Sequence, residues 1–211
     1  MPVLMTFGDS NTHGTPPIRQ RGEYRRYGRD IRWPVLAQQA LGPAWDLVEE
    51  GLPGRTAQFD DPVMGDFMNA RRGLRMALQS HGPLDVLTIM LGTNDSKTRF
   101  GATPEMIAGG VAGLVDVAQS IEMQARHDGF RILIICPPPV VEVGPIRGEF
   151  FGAAAKSAAL APLYAEIAAS RGAGFLDAGR VIAVSPEDGI HFAPEAHAAL
   201  AVAVAQAVAA L

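Results

Sequence analysis

Ser10 lies in an unusual opening segment, Met5-Thr6-Phe7-Gly8-Asp9-Ser10-Asn11-Thr12-His13-Gly14, in which an apolar run gives way to glycine, a carboxylate and a hydroxyl. A serine hydroxyl is a weak nucleophile until a base takes its proton and hydrogen-bond donors await the charge that develops on its target. The base is sought in Asp188-Gly189-Ile190-His191-Phe192. An aspartate and a histidine three residues apart can share one turn, with the carboxylate on one ring nitrogen and the other nitrogen facing outward. That arrangement holds the histidine in the tautomer a serine needs. His191 would take the Ser10 proton and later deliver it to a leaving alcohol, and Asp188 would stabilise the imidazolium. Donors for an oxyanion are available from the Asn94 side-chain amide, the Gly54 N–H and the N–H of Ser10 itself. The chemistry indicated is acyl transfer through a covalent acyl-serine.

The elements that must bring these residues together can be read from hydrophobic patterning. Five short runs rich in Val, Ile, Leu and Phe read as strands: Val3–Phe7, Trp45–Val48, Val86–Leu91, Arg131–Cys136 and Gly174–Leu176. Helical character falls between and after them, over Ile31–Leu41, Ala70–Ser80, Pro104–His127, Ala153–Arg171 and Pro194–Leu211. Thr103-Pro104-Glu105 reads as an N-cap, a first-turn proline and an early acid. Alternating strands and helices imply right-handed crossovers and a parallel sheet covered on both faces. The expected fold is therefore α/β, a three-layer α/β/α sandwich on a flavodoxin-like five-stranded parallel sheet of order 2-1-3-4-5, with a single domain over residues 1–211. In that order the loops after strands one, two and three are neighbours at the carboxyl edge, where ligands bind in such sheets. They carry Ser10, then Glu50-Gly51-Leu52-Pro53-Gly54-Arg55-Thr56, then Gly92-Thr93-Asn94-Asp95.

Gly8-Asp9-Ser10, Gly54, Gly92-Thr93-Asn94-Asp95 and Asp188-Gly189-Ile190-His191 resemble, in order, the four sequence blocks of the GDSL/SGNH hydrolases. More narrowly, Glu49–Thr56, Met90–Asp95 and Asp188–Phe192 resemble bacterial arylesterases of that superfamily, some of which also transfer acyl groups to alcohols. The resemblance implies Ser10 as nucleophile, His191 as base and Asp188 as third member. It implies Ser10, Gly54 and Asn94 as the oxyanion hole, with no metal or organic cofactor, and a homo-oligomer acting on a small-molecule ester. A serine esterase for short-acyl aryl or alkyl esters is expected, and a carbohydrate acetylesterase or a lysophospholipase or thioesterase is the alternative within the same chemistry. Where those arylesterases often carry Leu-Thr-Trp-Gly after the nucleophile, this chain has Asn11-Thr12-His13-Gly14. A polar, wetter pocket would follow, favouring hydrolysis over transfer to alcohol. Its lining is expected to draw on Asn11, His13, Thr93, Phe150 and Phe151.

Other readings are set beside this one. A flavodoxin-like FMN binder would use Ser10–Thr15 as a phosphate loop, but Asp9 would repel the phosphate and Asp188 and His191 would have no role. The Gly-x-Ser-x-Gly elbow of the α/β-hydrolases is missing. His81, His127 and His197 read as surface or core histidines, and no metal-ligand spacing such as His-Glu-x-x-His occurs. Arg19, Arg21, Arg25, Arg26, Arg29 and Arg32 crowd one stretch and read as a solvated face or subunit contact. Cys136, the single cysteine, excludes an intrachain disulfide and reads as a small buried hydrophobe. With 48% hydrophobic and 19% charged residues the chain is globular, and a net charge of −4 disfavours nucleic acid. No apolar stretch preceded by basic residues opens the chain, and the alanine-rich C-terminal segment is interrupted by Glu195, His197 and Gln206, so neither a leader nor a membrane span is expected and a cytoplasmic location is. That segment has almost no polar face, so its helix must be buried in the domain or in an oligomer.

Overall fold

The computed structural model describes all residues from Met1 to Leu211. Its centre is a five-stranded parallel sheet of order 2-1-3-4-5. The strands are β1 (Val3–Gly8), β2 (Asp46–Gly51), β3 (Val86–Met90), β4 (Arg131–Cys136) and β5 (Gly174–Asp177). Eight helices accompany them: α1 (Ser10–His13), α2 (Trp33–Leu41), α3 (Ala70–Ser80), α4 (Pro104–Ala118), α5 (Ile121–Arg126), α6 (Ala153–Ala158), α7 (Leu160–Arg171) and α8 (Pro194–Ala209). None is long and apolar enough to cross a membrane.

Strand side chains alternate between two cores, as a pleat requires. Met5 and Phe7 of β1, Leu87 and Ile89 of β3, and Ile132, Ile134 and Cys136 of β4 face α3, α4 and α7. Leu4, Val86, Met90, Leu133 and Ile135 face α2 and α8. The nearly unbroken apolar runs of the inner strands follow from burial on both faces. α8 buries Leu200, Ala201, Val204 and Val208 in the second core, so its apolar surface is largely spent inside the chain. Cys136 is buried in the first core, and burial pushes its thiol up to about 12, which leaves it inert as a nucleophile.

Two helices read as continuous from the sequence are broken. Pro104–His127 divides at Gln119, because Ser120 turns its hydroxyl to the Met123 N–H and caps a new helix. Ala153–Arg171 divides at Ala159, where Pro162 supplies no N–H to continue the ladder from α6. Thr103 does cap α4, accepting from the Met106 N–H.

Register sets up the site. Gly8 pairs with Gly51 on one side and Met90 on the other, so β1, β2 and β3 end level and their loops leave side by side. Gly51 lies against the backbone of Thr12 and His13, leaving no room for a side chain. Arg55 turns back under these loops, donating to the carbonyls of Gly8 and Glu50 with its guanidinium 4.1 Å over the Phe7 ring.

Candidate active site

Ser10 is the first residue of the single-turn helix α1, and Asp9 caps that turn by accepting the Asn11 N–H at 2.9 Å. The chain therefore leaves β1 in a tight turn that lifts the hydroxyl above the sheet edge. Ser10 Oγ lies 3.0 Å from His191 Nε2, and His191 Nδ1 lies 2.6 Å from Asp188 Oδ2. An ionised Asp188 only accepts, so Nδ1 carries the proton and Nε2 is left to receive the one from Ser10. Burial alone would raise the Asp188 carboxyl. The hydrogen bond and charge of His191, with the N–H groups of Ile18 and His191, outweigh it and hold the carboxyl below its ordinary range.

The loop bearing Asp188 and His191 is pinned from distant parts of the chain. The Ile18 N–H donates to Asp188 Oδ2 at 2.7 Å, and Asn11 Nδ2 donates to the Ile190 carbonyl at 3.1 Å. Arg19 pairs with Glu187 next to Asp188. The remaining arginines of that stretch are likewise taken up: Arg21 by Glu149, Arg25 by Glu23, and Arg26, Arg29 and the buried Arg32 by Glu49.

Asn94 opens a 3₁₀ turn after β3, and its Nδ2 donates to the Arg55 carbonyl at 3.1 Å and to Asp9 Oδ2 at 3.3 Å. The second of these is long and leaves that N–H weakly engaged. Gly54 sits at φ +92°, a left-handed conformation that favours glycine. The loops carrying Gly54 and Asn94 are tied together by Asp95, whose carboxylate accepts the Ala57 N–H at 2.9 Å and the Gln58 N–H at 3.4 Å. Ser10, Gly54, Asn94 and His191 line one pocket of about 190 Å³.

The pocket draws its remaining walls from elsewhere than expected. Phe150 lines it, as do Ile18, Tyr24, Pro53, Met64, Ile146 and Ile190. Asn11, His13, Thr93 and Phe151 do not. Asn11 is buried behind Ser10, its amide spent on Ile190. His13 ends α1 pointing to the Tyr24 hydroxyl at 3.4 Å. Thr93 is buried in the turn, its carbonyl accepting from Ser96. Phe151 is 59% exposed on the surface. The polar residues after Ser10 therefore do not wet the pocket directly, and they give no preference for hydrolysis over transfer. Lys97, Tyr24, Glu23 and Glu149 also line the pocket, though no motif points to them. Only Lys97, three residues beyond Asn94, carried a positional signal.

No group of three or more His, Cys, Asp or Glu is disposed to hold a metal ion. His197 is a core histidine whose Nδ1 accepts the Trp33 N–H, and burial pulls it down to about 4, so it stays neutral. In the turn after β1, the Asn11 N–H that a phosphate would need is already engaged by Asp9.

Asp9 is fully buried, and burial, opposed by the Asn11 N–H and nearby positive charge, pushes its carboxyl from 3.8 up to about 6. That displacement corresponds to on the order of 3 kcal/mol against the folded state once Asp9 is ionised. A raised carboxyl favours the fold below pH 3.8, and the advantage is lost as pH climbs through about 6. Asp9→Asn keeps the helix cap and removes the charge. The stability of the variant relative to the parent is expected to rise by about 2–3 kcal/mol from pH 4 to pH 8. Urea denaturation at both pH values measures this, and an equal gap at the two would contradict it.

The family model for GDSL-like lipases and acylhydrolases matches residues 6–199. A carbohydrate acetylesterase from Sinorhizobium meliloti superposes with a TM-score of 0.93 at 36% identity, covering 100% of this chain and 99% of its own. The native aryl esterase of M. smegmatis gives 0.94 at 36% identity, covering 100% of both chains. A second carbohydrate acetylesterase family member from Sinorhizobium meliloti gives 0.87 at 33% identity, again over 100% of both. No curated protein matches the chain.

Proposed function

Since the chain belongs to the GDSL-like lipase/acylhydrolase family, we propose that it is a serine esterase that hydrolyses short-acyl aryl or alkyl esters through an acyl-Ser10 intermediate. The observation that carries this reading is the unbroken relay from Ser10 Oγ to His191 to Asp188, at 3.0 and 2.6 Å, opening into the pocket that Asn94 and Gly54 share.

Ser10 Oγ attacks the ester carbonyl as its proton passes to His191 Nε2. The tetrahedral oxyanion is held by the Asn94 side-chain amide and the backbone N–H groups of Ser10 and Gly54. Collapse expels the alcohol, protonated by His191, and leaves the acyl group on Ser10. Water then enters, loses a proton to His191, and releases the acid through a second tetrahedral species. An alcohol in place of that water would give acyl transfer by the same steps. A carbohydrate acetylesterase reading is supported by the side-chain oxygens of Glu23 and Tyr24 in the pocket lining, which can hydrogen bond sugar hydroxyls.

The preference for short acyl groups rests on volume. A pocket of about 190 Å³ lies below the roughly 300–1,000 Å³ of sites for drug-sized ligands. Among p-nitrophenyl esters, kcat/KM is expected to be highest for acetyl or propionyl and to fall at least tenfold by octanoyl. A rise with chain length in a steady-state series would contradict the assignment and point to a lipase or thioesterase.

A further inference from the structure

Lys97 has no part in the acyl-transfer steps, yet it lines the same pocket as Ser10 and Asn94. It follows Asn94 in the turn after β3, and its N–H donates to the Asn94 carbonyl at 3.2 Å, so the turn that places the amide of Asn94 also places this lysine. The residue is only 5% exposed. A buried ammonium ordinarily has carboxylate or carbonyl acceptors on its three donors. Here a single carboxylate oxygen, Glu149 Oε2, comes within 4 Å, and at 3.9 Å it is beyond hydrogen-bond reach. The Phe150 ring centroid lies 5.5 Å from Nζ, and this ammonium, with no hydrogen-bond acceptor from the protein, opens to the pocket.

Asp9 and Asp61 also bear on this ammonium, and the carboxylates nearest the pocket mouth are engaged by arginines. Glu149 is held by Arg99 at 3.1 Å and by Arg21 at 3.2 Å. Glu23 is held by Arg25 at 2.7 Å and by the Arg19 N–H at 3.0 Å. Arg99 also takes up Asp61 at 2.6 Å. Lys97 is the one lysine or arginine among the residues that line the pocket.

We propose that Lys97 is a specificity-determining residue that binds a carboxylate carried on the alcohol portion of the ester. A carboxylate supplies the hydrogen-bond acceptors that this ammonium lacks, in a setting where a charged hydrogen bond is stronger than at a surface. The alcohol portion is assigned because the acyl group in the function proposed above is too short to carry one. The inference rests on that esterase reading. Burial, then Arg99, also holds the Lys97 ammonium below the ordinary lysine range, which a bound anion would reverse.

The test compares 3- and 4-acetoxybenzoate with their neutral methyl esters, in the parent, Lys97→Met and Lys97→Arg. The parent is expected to favour at least one of the acids over its methyl ester in kcat/KM. That ratio should drop tenfold or more in Lys97→Met, mostly through KM, and be largely kept by Lys97→Arg. Smaller changes at both positions of the carboxylate would overturn the role of Lys97. Should Lys97→Met fail to fold, inhibition of the parent reads the same preference. Tenfold tighter inhibition by 3- or 4-hydroxybenzoate than by its methyl ester supports the proposal, and a smaller margin for both overturns it. The two readings fail differently. Ser10-dependent hydrolysis of the neutral esters with no effect at Lys97 removes only this inference, whereas no Ser10-dependent hydrolysis of any of them removes both.

Discussion

Alanine at Ser10 is expected to lower kcat/KM on p-nitrophenyl acetate by about 10⁴- to 10⁶-fold while leaving the fold intact. The residue contributes little packing beyond its hydroxyl, whose recorded partner is His191 Nε2 at 3.0 Å. Removing it deletes the atom that forms the covalent bond, and water at the same position would have to act without the orientation that α1 provides. Because Ser10 and His191 work as one unit, the double variant Ser10→Ala/His191→Ala should be little worse than either single variant. Steady-state rates on the three proteins, with circular dichroism to confirm folding, decide this. Multiplicative losses would mean that the two side chains do not share a step.

Asn94→Ala should cost about 10²- to 10³-fold in kcat with a much smaller change in KM. The asymmetry follows from what the amide would do. Its second N–H makes only a 3.3 Å contact with Asp9 in the resting site, and its full hydrogen bond forms to the charge that exists in the tetrahedral species. A loss confined to KM would make Asn94 a ground-state binding residue. The same substitution also deletes the donor to the Arg55 carbonyl, so a thermal melt should accompany the kinetics.

Much of this architecture was legible in the sequence because the signals were local. The inner strands are apolar on both faces, Arg131–Cys136 stands out by one uninterrupted apolar run, and alternating elements with right-handed crossovers imply a parallel sheet covered on both faces. The edge strands were read short: β2 runs on to Gly51 through Glu49 and Glu50, whose charges hide a strand that water partly reaches. Helix breaks at Gln119 and Ala159 depend on one capping hydroxyl and one missing N–H, which periodicity averages away.

The site divides along the same line. Residues next to a strand end, such as Ser10 and Asn94, announce themselves by position. Residues that brace them do so across long separations: Ile18 donates to Asp188 from 170 residues away, and Asn11 reaches Ile190 across 179. Asn11 and His13 were expected in the pocket because they follow the nucleophile, but one turn of helix carries them behind it. Lys97, Tyr24 and Glu149 converge on the pocket from three separate loops, a convergence that only the tertiary structure reveals.

The central claim is a covalent acyl-enzyme on Ser10. Intact-protein mass spectrometry on enzyme acid-quenched within the first turnovers of p-nitrophenyl acetate, followed by peptide mapping, tests it directly. The account predicts a single acetyl group per chain, on Ser10, formed as fast as p-nitrophenol appears and absent from Ser10→Ala. Turnover with no adduct on Ser10 in the parent, together with unchanged turnover in Ser10→Ala, would contradict it.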